Sequence, residues 1–270
     1  MKRARGKPPL SLIANLLAGR SPEQYQNLHD KSNEAGGPEH QSRTNFPKVY
    51  KFTSNNGIEI KILDTPGIAD TRGLEQDDLH KANIAKTMGE SIASIDGILI
   101  LVNGTIPRLG VATDYALSTL LSILPRTFAD NIGILFTNVA DPLSLNCGLP
   151  EILQGTGARN NQWLIDNPIV LWKKHSQESG TNESRTRAKW RRSMSEAHEN
   201  AVDVIADILN WLDGLAVQPT NDAMELTEQL QRTNHEIGLA LSCTARISKE
   251  NKRLEEAKQS AYSSTLARLV

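Results

Sequence analysis

Two uninterrupted apolar runs constrain the fold of this 270-residue chain more than any other feature. Residues 97–102 read Gly-Ile-Leu-Ile-Leu-Val, and residues 132–137 read Ile-Gly-Ile-Leu-Phe-Thr. Both runs are strand-sized and neither alternates polar with apolar residues, so each is predicted to be a strand buried on both faces. Strands of this kind belong to parallel sheets, whose crossover connections cover both faces with helices.

The elements around these runs predict a three-layer α/β domain with a mostly parallel sheet. Residues 48–53 and 58–63 alternate polar with apolar side chains, and Ser-Asn-Asn-Gly between them predicts an antiparallel hairpin. Residues 19–45 and 176–187 are polar, so they are predicted to be a loop and a linker. The other predicted elements are helices at 10–18, 77–94, 111–124 and 190–211, and a last strand at 163–165.

The composition changes near Pro219, which separates a predicted first domain at residues 1–215 from a helix at residues 220–263. Residues 222–262 contain no proline, and their apolar residues recur at steps near 3.5, as in a long helix. Threonine, asparagine and lysine interrupt this apolar seam. Two interpretations stay open, namely a coiled coil that binds a partner protein and a solvated helix that packs on its own domain.

Composition and charge exclude several classes of function. The net charge of −1 gives no overall field that would attract nucleic acid or an anionic membrane surface. No apolar run approaches the ~20 residues of a membrane helix, so no transmembrane segment is predicted. Cys147 and Cys243 match no metal-binding spacing, and we expect a reducing, cytoplasmic setting.

Residues 58–73 have the sequence pattern with the clearest chemistry, an alternating apolar strand that runs into Asp-Thr-Pro-Gly. An aspartate at the C-terminal end of a buried strand, here Asp64, can hold Mg²⁺ through water. Gly67 follows three residues later, and its backbone N–H can approach a γ-phosphate because it has no Cβ. We therefore predict that Asp64 contacts Mg²⁺ and that Gly67 contacts the terminal phosphate of a nucleotide.

A second candidate segment follows the predicted strand at 132–137. Residues 138–141 read Asn-Val-Ala-Asp and keep the first and last residues of the N-K-x-D loop with which GTPases recognise guanine. In that loop the aspartate accepts hydrogen bonds from guanine, worth about 1.5–3 kcal/mol for bonds to a charged group. Val139 replaces the lysine whose stem covers the base. Asn138 and Asp141 are thus candidate guanine ligands, and the alternative is an ordinary loop closed by an Asx turn.

The segments ILDTPGIADTRG, TNFPKVYKF, FTN and IDNP together resemble the septin-like GTPases, and within them the immune-associated (avirulence-induced) nucleotide-binding family and its fungal relatives. The resemblance covers about residues 10–215 and is most specific in the first of these segments. It implies a P-loop GTPase fold, GTP or GDP and Mg²⁺ as ligands, and a homodimer formed across the nucleotide face. It also implies Thr44 as a Mg²⁺ ligand in the GTP-bound state.

The phosphate-binding motif G-x-x-x-x-G-K-[ST] of that fold does not occur in the sequence. Gly6 and Lys7 precede two prolines, which lack the N–H donors that an anion-binding turn needs, so Lys7 is assigned to a basic tail. The strand that precedes the motif and occupies the centre of the sheet is also missing. Either strands 58–63 and 97–102 close up, or the native protein begins upstream, and we expect a truncated chain.

The expected function is that of a GTP-binding protein, degenerate or truncated, with weak or no GTP hydrolysis. Ile68 stands where Ras-type GTPases place the glutamine that orients the attacking water, and an aliphatic side chain cannot do this. Whether the chain is an enzyme stays open. The alternative is a non-enzymatic pseudo-GTPase scaffold that binds proteins through its GTPase-like domain and its C-terminal helix.

Overall fold

The computed structural model of the chain describes residues 9–26, 46–54, 57–66, 74–106, 111–122, 124–169, 172 and 184–266. The chain divides into two compact units, Met1–Met224 and Glu225–Val270. The first unit contains strands and helices, and the described part of the second is helical.

The described helices and strands follow each other in the order expected of an α/β chain with an N-terminal hairpin. The helices are α1 (Pro9–Leu17), α2 (Leu74–Ser91), α3 (Val111–Ser122), α4 (Ser184–Asp213) and α5 (Asn221–Leu266). The strands are β1 (Lys48–Thr53), β2 (Glu59–Asp64), β3 (Ser94–Ile95), β4 (Ile98–Asn103), β5 (Ile132–Thr137), β6 (Gln162–Ile165) and β7 (Gln218–Pro219).

The two apolar runs form neighbouring strands of a parallel sheet, as predicted. The strand order is β4-β5-β6, with Ile98 opposite Ile132 and Ile134 opposite Gln162. β5 lies in the middle and is buried along nearly its whole length. The mixed α/β class is therefore confirmed.

Helices pack against both faces of this sheet. Successive side chains of a strand point to opposite faces, so each strand contributes to two cores. On one face Ile134 and Phe136 share a buried core with Leu117 of α3. On the other face Leu135 shares a core with Leu12 of α1 and with buried residues of α4. The two cores fix the positions of the strands whose C-terminal ends carry the candidate site.

The hairpin of β1 and β2 does not join the parallel sheet. It forms a two-stranded sheet of its own, with Lys48 opposite Asp64 and with Gly57 at a left-handed φ of +80° in the turn. Within the described residues β2 pairs only with β1, and β4 pairs only with β5. The alternative in which β2 and β4 close up is therefore wrong for this part of the chain.

Among the strands that the structure describes, none pairs with the second long side of β4. Gly104 N–H donates to Thr137 O at 2.9 Å, so even-numbered residues of β4 direct their backbone groups toward β5. Leu99 and Leu101 direct theirs to the opposite side, and the Leu101 side chain is 47% exposed. An apolar edge strand of this kind is a template for pairing with another strand.

The start of α4 differs from the sequence prediction. Residues 176–187 are predicted to be a polar linker, but α4 begins at Ser184 within that range. Arginine is a good helix former, and Arg185 and Arg187 let the helix start before its apolar face begins. The linker predicted from composition therefore ends before Ser184 and not at residue 187.

The second unit consists, in its described part, of α5. Every side chain from His235 to Gln259 is exposed, including those of Ile237, Ile247 and Leu254. The long helix is present, and its pairing into a coiled coil stays a prediction. None of the described helices is long and apolar enough to cross a membrane.

Candidate functional site

The C-terminal ends of β4, β5 and β6 meet along one edge of the parallel sheet, the position at which open α/β folds bind ligands. The register places Asn103 at the end of β4 opposite Thr137 at the end of β5, and Thr137 opposite Ile165. Polar residues follow each of these strand ends. The candidate site is therefore this carboxyl edge, defined here as Asn103–Thr105, Thr137–Asp141 and Asp166–Asn167.

Asn103 connects two of the loops at the carboxyl edge. Its Oδ1 atom accepts hydrogen bonds from Thr105 N–H at 3.2 Å, from Thr105 Oγ1 at 2.9 Å and from Asn138 Nδ2 at 3.1 Å. Its backbone oxygen accepts a further bond from Ile106 N–H at 3.3 Å. The turn after β4 and the loop after β5 are thereby tied together by one carboxamide.

Asn138 has a left-handed backbone conformation. Its φ is +63°, in the left-handed region that asparagine tolerates better than most residues. Its side chain is exposed, and Nδ2 also lies 3.3 Å from Thr137 Oγ1. The predicted candidate residue is therefore at the strand end, where its side chain ties the two loops.

Val139 is buried, which the sequence prediction did not anticipate. Its side chain is 3% exposed and belongs to the core on the α3 side of the sheet. A Cβ on Gly104 would lie 2.6 Å from Val139 Cγ2, so glycine is needed for this close approach. The position that holds a lysine in the N-K-x-D loop therefore faces the core in this chain, and its side chain cannot cover a base.

Asp141 lies at the exposed end of the loop. Its Oδ1 atom accepts a hydrogen bond from Leu143 N–H at 2.8 Å and caps the short 3₁₀ turn Pro142–Ser144. The Asx turn proposed as the alternative interpretation is thus present. This bond uses one acceptor position of the carboxylate. A guanine contact through the remaining acceptor positions stays a prediction.

The Asp-Asn-Pro sequence after β6 forms a local turn at the same edge. Asp166 Oδ1 accepts from Asn167 N–H at 2.8 Å, and Asn167 Oδ1 accepts from Ile169 N–H at 2.9 Å. Asn167 is buried, so these bonds satisfy polar groups that water does not reach.

The far end of the loop after β5 returns to the turn after β4. Asn146 N–H donates to Gly104 O at 2.9 Å, and Cys147 Sγ lies 3.9 Å from Asn103 O. Burial raises the pKa of the Cys147 thiol, so this side chain stays uncharged near pH 7. The loop 138–147 is therefore anchored on the same turn at both ends.

The predicted phosphate side of the site is only partly described. Asp64 is the last residue of β2 and is partly buried, Thr65 is exposed, and Pro66 is buried. Gly67, Thr44 and Ile68 lie outside the described residues. The structure places Asp64 in the hairpin, whereas Asn138 and Asp141 belong to the loop after β5 of the parallel sheet.

A magnesium site is not assembled within the described residues. Asp64 is the one predicted Mg²⁺ ligand among them, and no group of three His, Cys, Asp or Glu side chains in that part of the chain could hold a metal ion. Mg²⁺ at nucleotide sites takes one or two carboxylates together with phosphate and water oxygens, so Asp64 supplies one protein ligand of such a site.

Sequence reasoning missed the turn at Asn103, Gly104 and Thr105. The available signal was an Asn-Gly-Thr sequence at the end of one buried strand, in the same place as the Thr-Asn sequence at the end of the next buried strand.

No protein-family model matches the chain, and no curated protein sequence matches it. The resemblance to septin-like GTPases thus depends on the residues quoted above.

Proposed function

We propose that the first unit is a degenerate P-loop GTPase-type domain that binds guanine weakly through its carboxyl edge and has weak or no GTP hydrolysis. The observation that carries this proposal is the ordered loop Asn138–Asp141 at the C-terminal end of the middle strand of a parallel sheet. The Asn138 side chain and the Asp141 carboxylate lie on the exposed side of that loop.

The base side of this site has suitable chemistry. Guanine presents two adjacent N–H donors, at N1 and N2, and the two oxygens of a carboxylate accept one each. Asp141 is exposed, and its local cap uses one lone pair of Oδ1, which leaves Oδ2 and the second lone pair of Oδ1 for a ligand. The base would still lack the cover of a lysine stem because Val139 is buried. We therefore expect specific but weak recognition.

The phosphate side offers much less. The sequence has no G-x-x-x-x-G-K-[ST] motif, and Asp64 is the one described residue assigned to Mg²⁺. Ile68 cannot orient an attacking water. The triphosphate group should therefore add little to the affinity of the nucleoside. The rate of GTP hydrolysis should be no higher than that of a control without protein.

The Asp141→Asn variant tests the base contact. Asparagine keeps an Oδ1 acceptor for Leu143 N–H, so the local cap survives, while its amide group can donate to the C2 oxygen of xanthine. Saturation-transfer NMR with millimolar guanosine, xanthosine and adenosine should show guanosine binding to the wild type and xanthosine binding to the variant. Equal signals from all three nucleosides, or none from guanosine, would refute the proposal.

A second candidate function is that of a protein-binding scaffold, and the exposed apolar seam of α5 favours it. Ile237, Ile247 and Leu254 are 51%, 61% and 57% exposed, and their spacings of 10 and 7 residues place them on one seam of a heptad pattern. Most of the stability of a helix in a protein comes from packing of its apolar face, and this seam is exposed. We propose that this seam mediates self-association into a homodimer, and a partner protein is the other possible occupant.

Sedimentation equilibrium of the full chain tests this second candidate. Ile247→Lys and Leu254→Lys place a charge on the seam, whereas Leu239→Lys places the same charge off the seam at a leucine that is 55% exposed. The wild type and Leu239→Lys should sediment as dimers, and the two seam variants as monomers. An identical mass for all four proteins would exclude homodimerisation through the seam.

A further inference from the structure

The turn after β4, Asn103–Thr105, belongs to the carboxyl edge but makes no ligand contact in the function proposed above. It is hydrogen-bonded to both ends of the loop 138–147, which carries Asp141. Asn103 Oδ1 accepts three hydrogen bonds, one of them from Asn138 at the start of the loop. Gly104 O accepts from Asn146 N–H at the far end, and Gly104 itself packs against Val139.

We infer that Asn103 is a positioning residue, whose carboxamide oxygen holds the loop 138–147 in the conformation that presents Asp141 to a ligand. This inference rests on the proposed guanine site. Asn103 Oδ1 has no role as a base ligand, because three protein donors already occupy it. Its effect reaches Asp141 through Asn138.

The geometry explains why one acceptor has this influence. Asn138 is held at a φ of +63°, which is unfavourable for a residue with a side chain unless other contacts determine it. The bond from Asn138 Nδ2 to Asn103 Oδ1, at 3.1 Å, is such a contact. Asp141 follows three residues later, so a change in the backbone at Asn138 changes the direction of its carboxylate.

The hydrogen-bond roles give the inference a specific signature. All three groups that contact Asn103 Oδ1 are donors, namely a backbone N–H, a hydroxyl and an amide. A carboxylate at position 103 can accept all three, whereas alanine can accept none. Asn103→Asp should therefore restore what Asn103→Ala removes, and a residue with only a packing role would not follow this rule.

Hydrogen exchange measured by mass spectrometry on the full chain tests the inference. Asn103→Ala should speed exchange of peptides covering residues 138–147 by about tenfold or more and leave residues 132–137 unchanged, and Asn103→Asp should return the loop to the wild-type rate. Wild-type exchange in Asn103→Ala, or failure of Asn103→Asp to restore protection, would overturn the inference.

A second variant covers the case in which Asn103→Ala does not fold. Asn138→Gly removes the side-chain donor at the other end of the same bond, and glycine adopts the left-handed backbone without strain. It should give the same local loss of protection. If both variants fold and neither loosens the loop, Asn103 has no positioning role.

Guanosine titrations separate this inference from the proposed function. The Kd for guanosine should rise about tenfold in Asn103→Ala and stay within about threefold of wild type in Asn103→Asp, a tenfold change being about 1.4 kcal/mol. If wild type binds no guanosine, the proposed function fails, while the exchange experiment still decides the positioning role. If wild type binds and Asn103→Ala binds equally well, the positioning role fails alone.

Discussion

Restoring the lysine of the N-K-x-D loop, as Val139→Lys, should destabilise the first unit and should not improve nucleotide binding. In a site that differed from a working GTPase only by this residue, the same substitution would add a stem over the base. Here the side chain at 139 is 3% exposed and packs on Gly104. The new ammonium would therefore enter the core and not the ligand site.

The magnitude follows from this burial. Removing a fully buried valine loses about 1.5–3 kcal/mol of apolar transfer free energy. Keeping a lysine with an ordinary pKa of about 10.4 neutral at pH 7 costs about 4–5 kcal/mol, at about 1.36 kcal/mol per pH unit. The long stem can relieve part of this by leading the ammonium to water beside the exposed Asn138 and Ala140. We expect a net loss of about 3 kcal/mol, within a range of about 2–5 kcal/mol.

Thermal unfolding followed by circular dichroism at 222 nm is the assay, with Ala140→Lys as the matched control. For a domain of this size about 2–4 °C of Tm corresponds to each kcal/mol. Val139→Lys should therefore lower Tm by about 6–12 °C, whereas Ala140→Lys, one residue along and exposed, should stay within about 2 °C. A Val139→Lys protein with wild-type Tm and tenfold tighter guanosine binding would refute the buried placement of Val139 and the reasoning built on it.

Three further predictions concern packing, pH and the sheet edge. Gly104→Ala should lower the free energy of unfolding by about 1–3 kcal/mol, because the new Cβ would clash with Val139. Adding Val139→Ala should recover part of that loss, which a double-mutant cycle measured by urea unfolding can detect. Burial lowers the pKa of His198, outweighing the opposite effect of Glu199. The unfolded chain therefore binds more protons below about pH 6.5, and Tm should fall as pH drops through that value. The fall should be smaller in His198→Gln, because glutamine has no titrating ring beside the Tyr25 hydroxyl. Leu101→Lys should slow the loss of soluble protein on storage, since a charge on an apolar edge strand opposes strand pairing; an unchanged rate would mean that this edge does not drive association.

Periodicity and apolar runs were sufficient to predict the mixed α/β class and the positions of its longer strands. β5 occupies the predicted residues 132–137, and β1 the predicted residues 48–53, because a strand buried on both faces and an alternating strand leave unmistakable patterns. The start of α4 was not predictable in the same way, since its first turn carries no apolar face. The position of the hairpin was also undetermined, because pairing between strands depends on edges that the local sequence does not encode.

The candidate site was predictable by residue type and not by side-chain direction. Asn138 and Asp141 were found from their spacing, and both lie at the expected strand end. The sequence identified Val139 only as the replacement for a base-covering lysine. The left-handed backbone at Asn138 and the absence of a Cβ at Gly104 let its side chain enter the core. Asn103 was missed because its role depends on a contact across 35 residues of sequence.

A paired calorimetric titration of the full chain, with GTP plus Mg²⁺ and with guanosine, measures what the phosphates add to binding. Both ligands should bind with Kd values weaker than about 10 µM and within about threefold of each other, because the base is recognised and the phosphates are not held. A Kd of ~10 µM already requires about 7 kcal/mol of binding free energy. Mg²⁺-dependent GTP binding below ~10 µM, with guanosine at least a hundredfold weaker, would contradict the account, since it would require a working phosphate site in this chain.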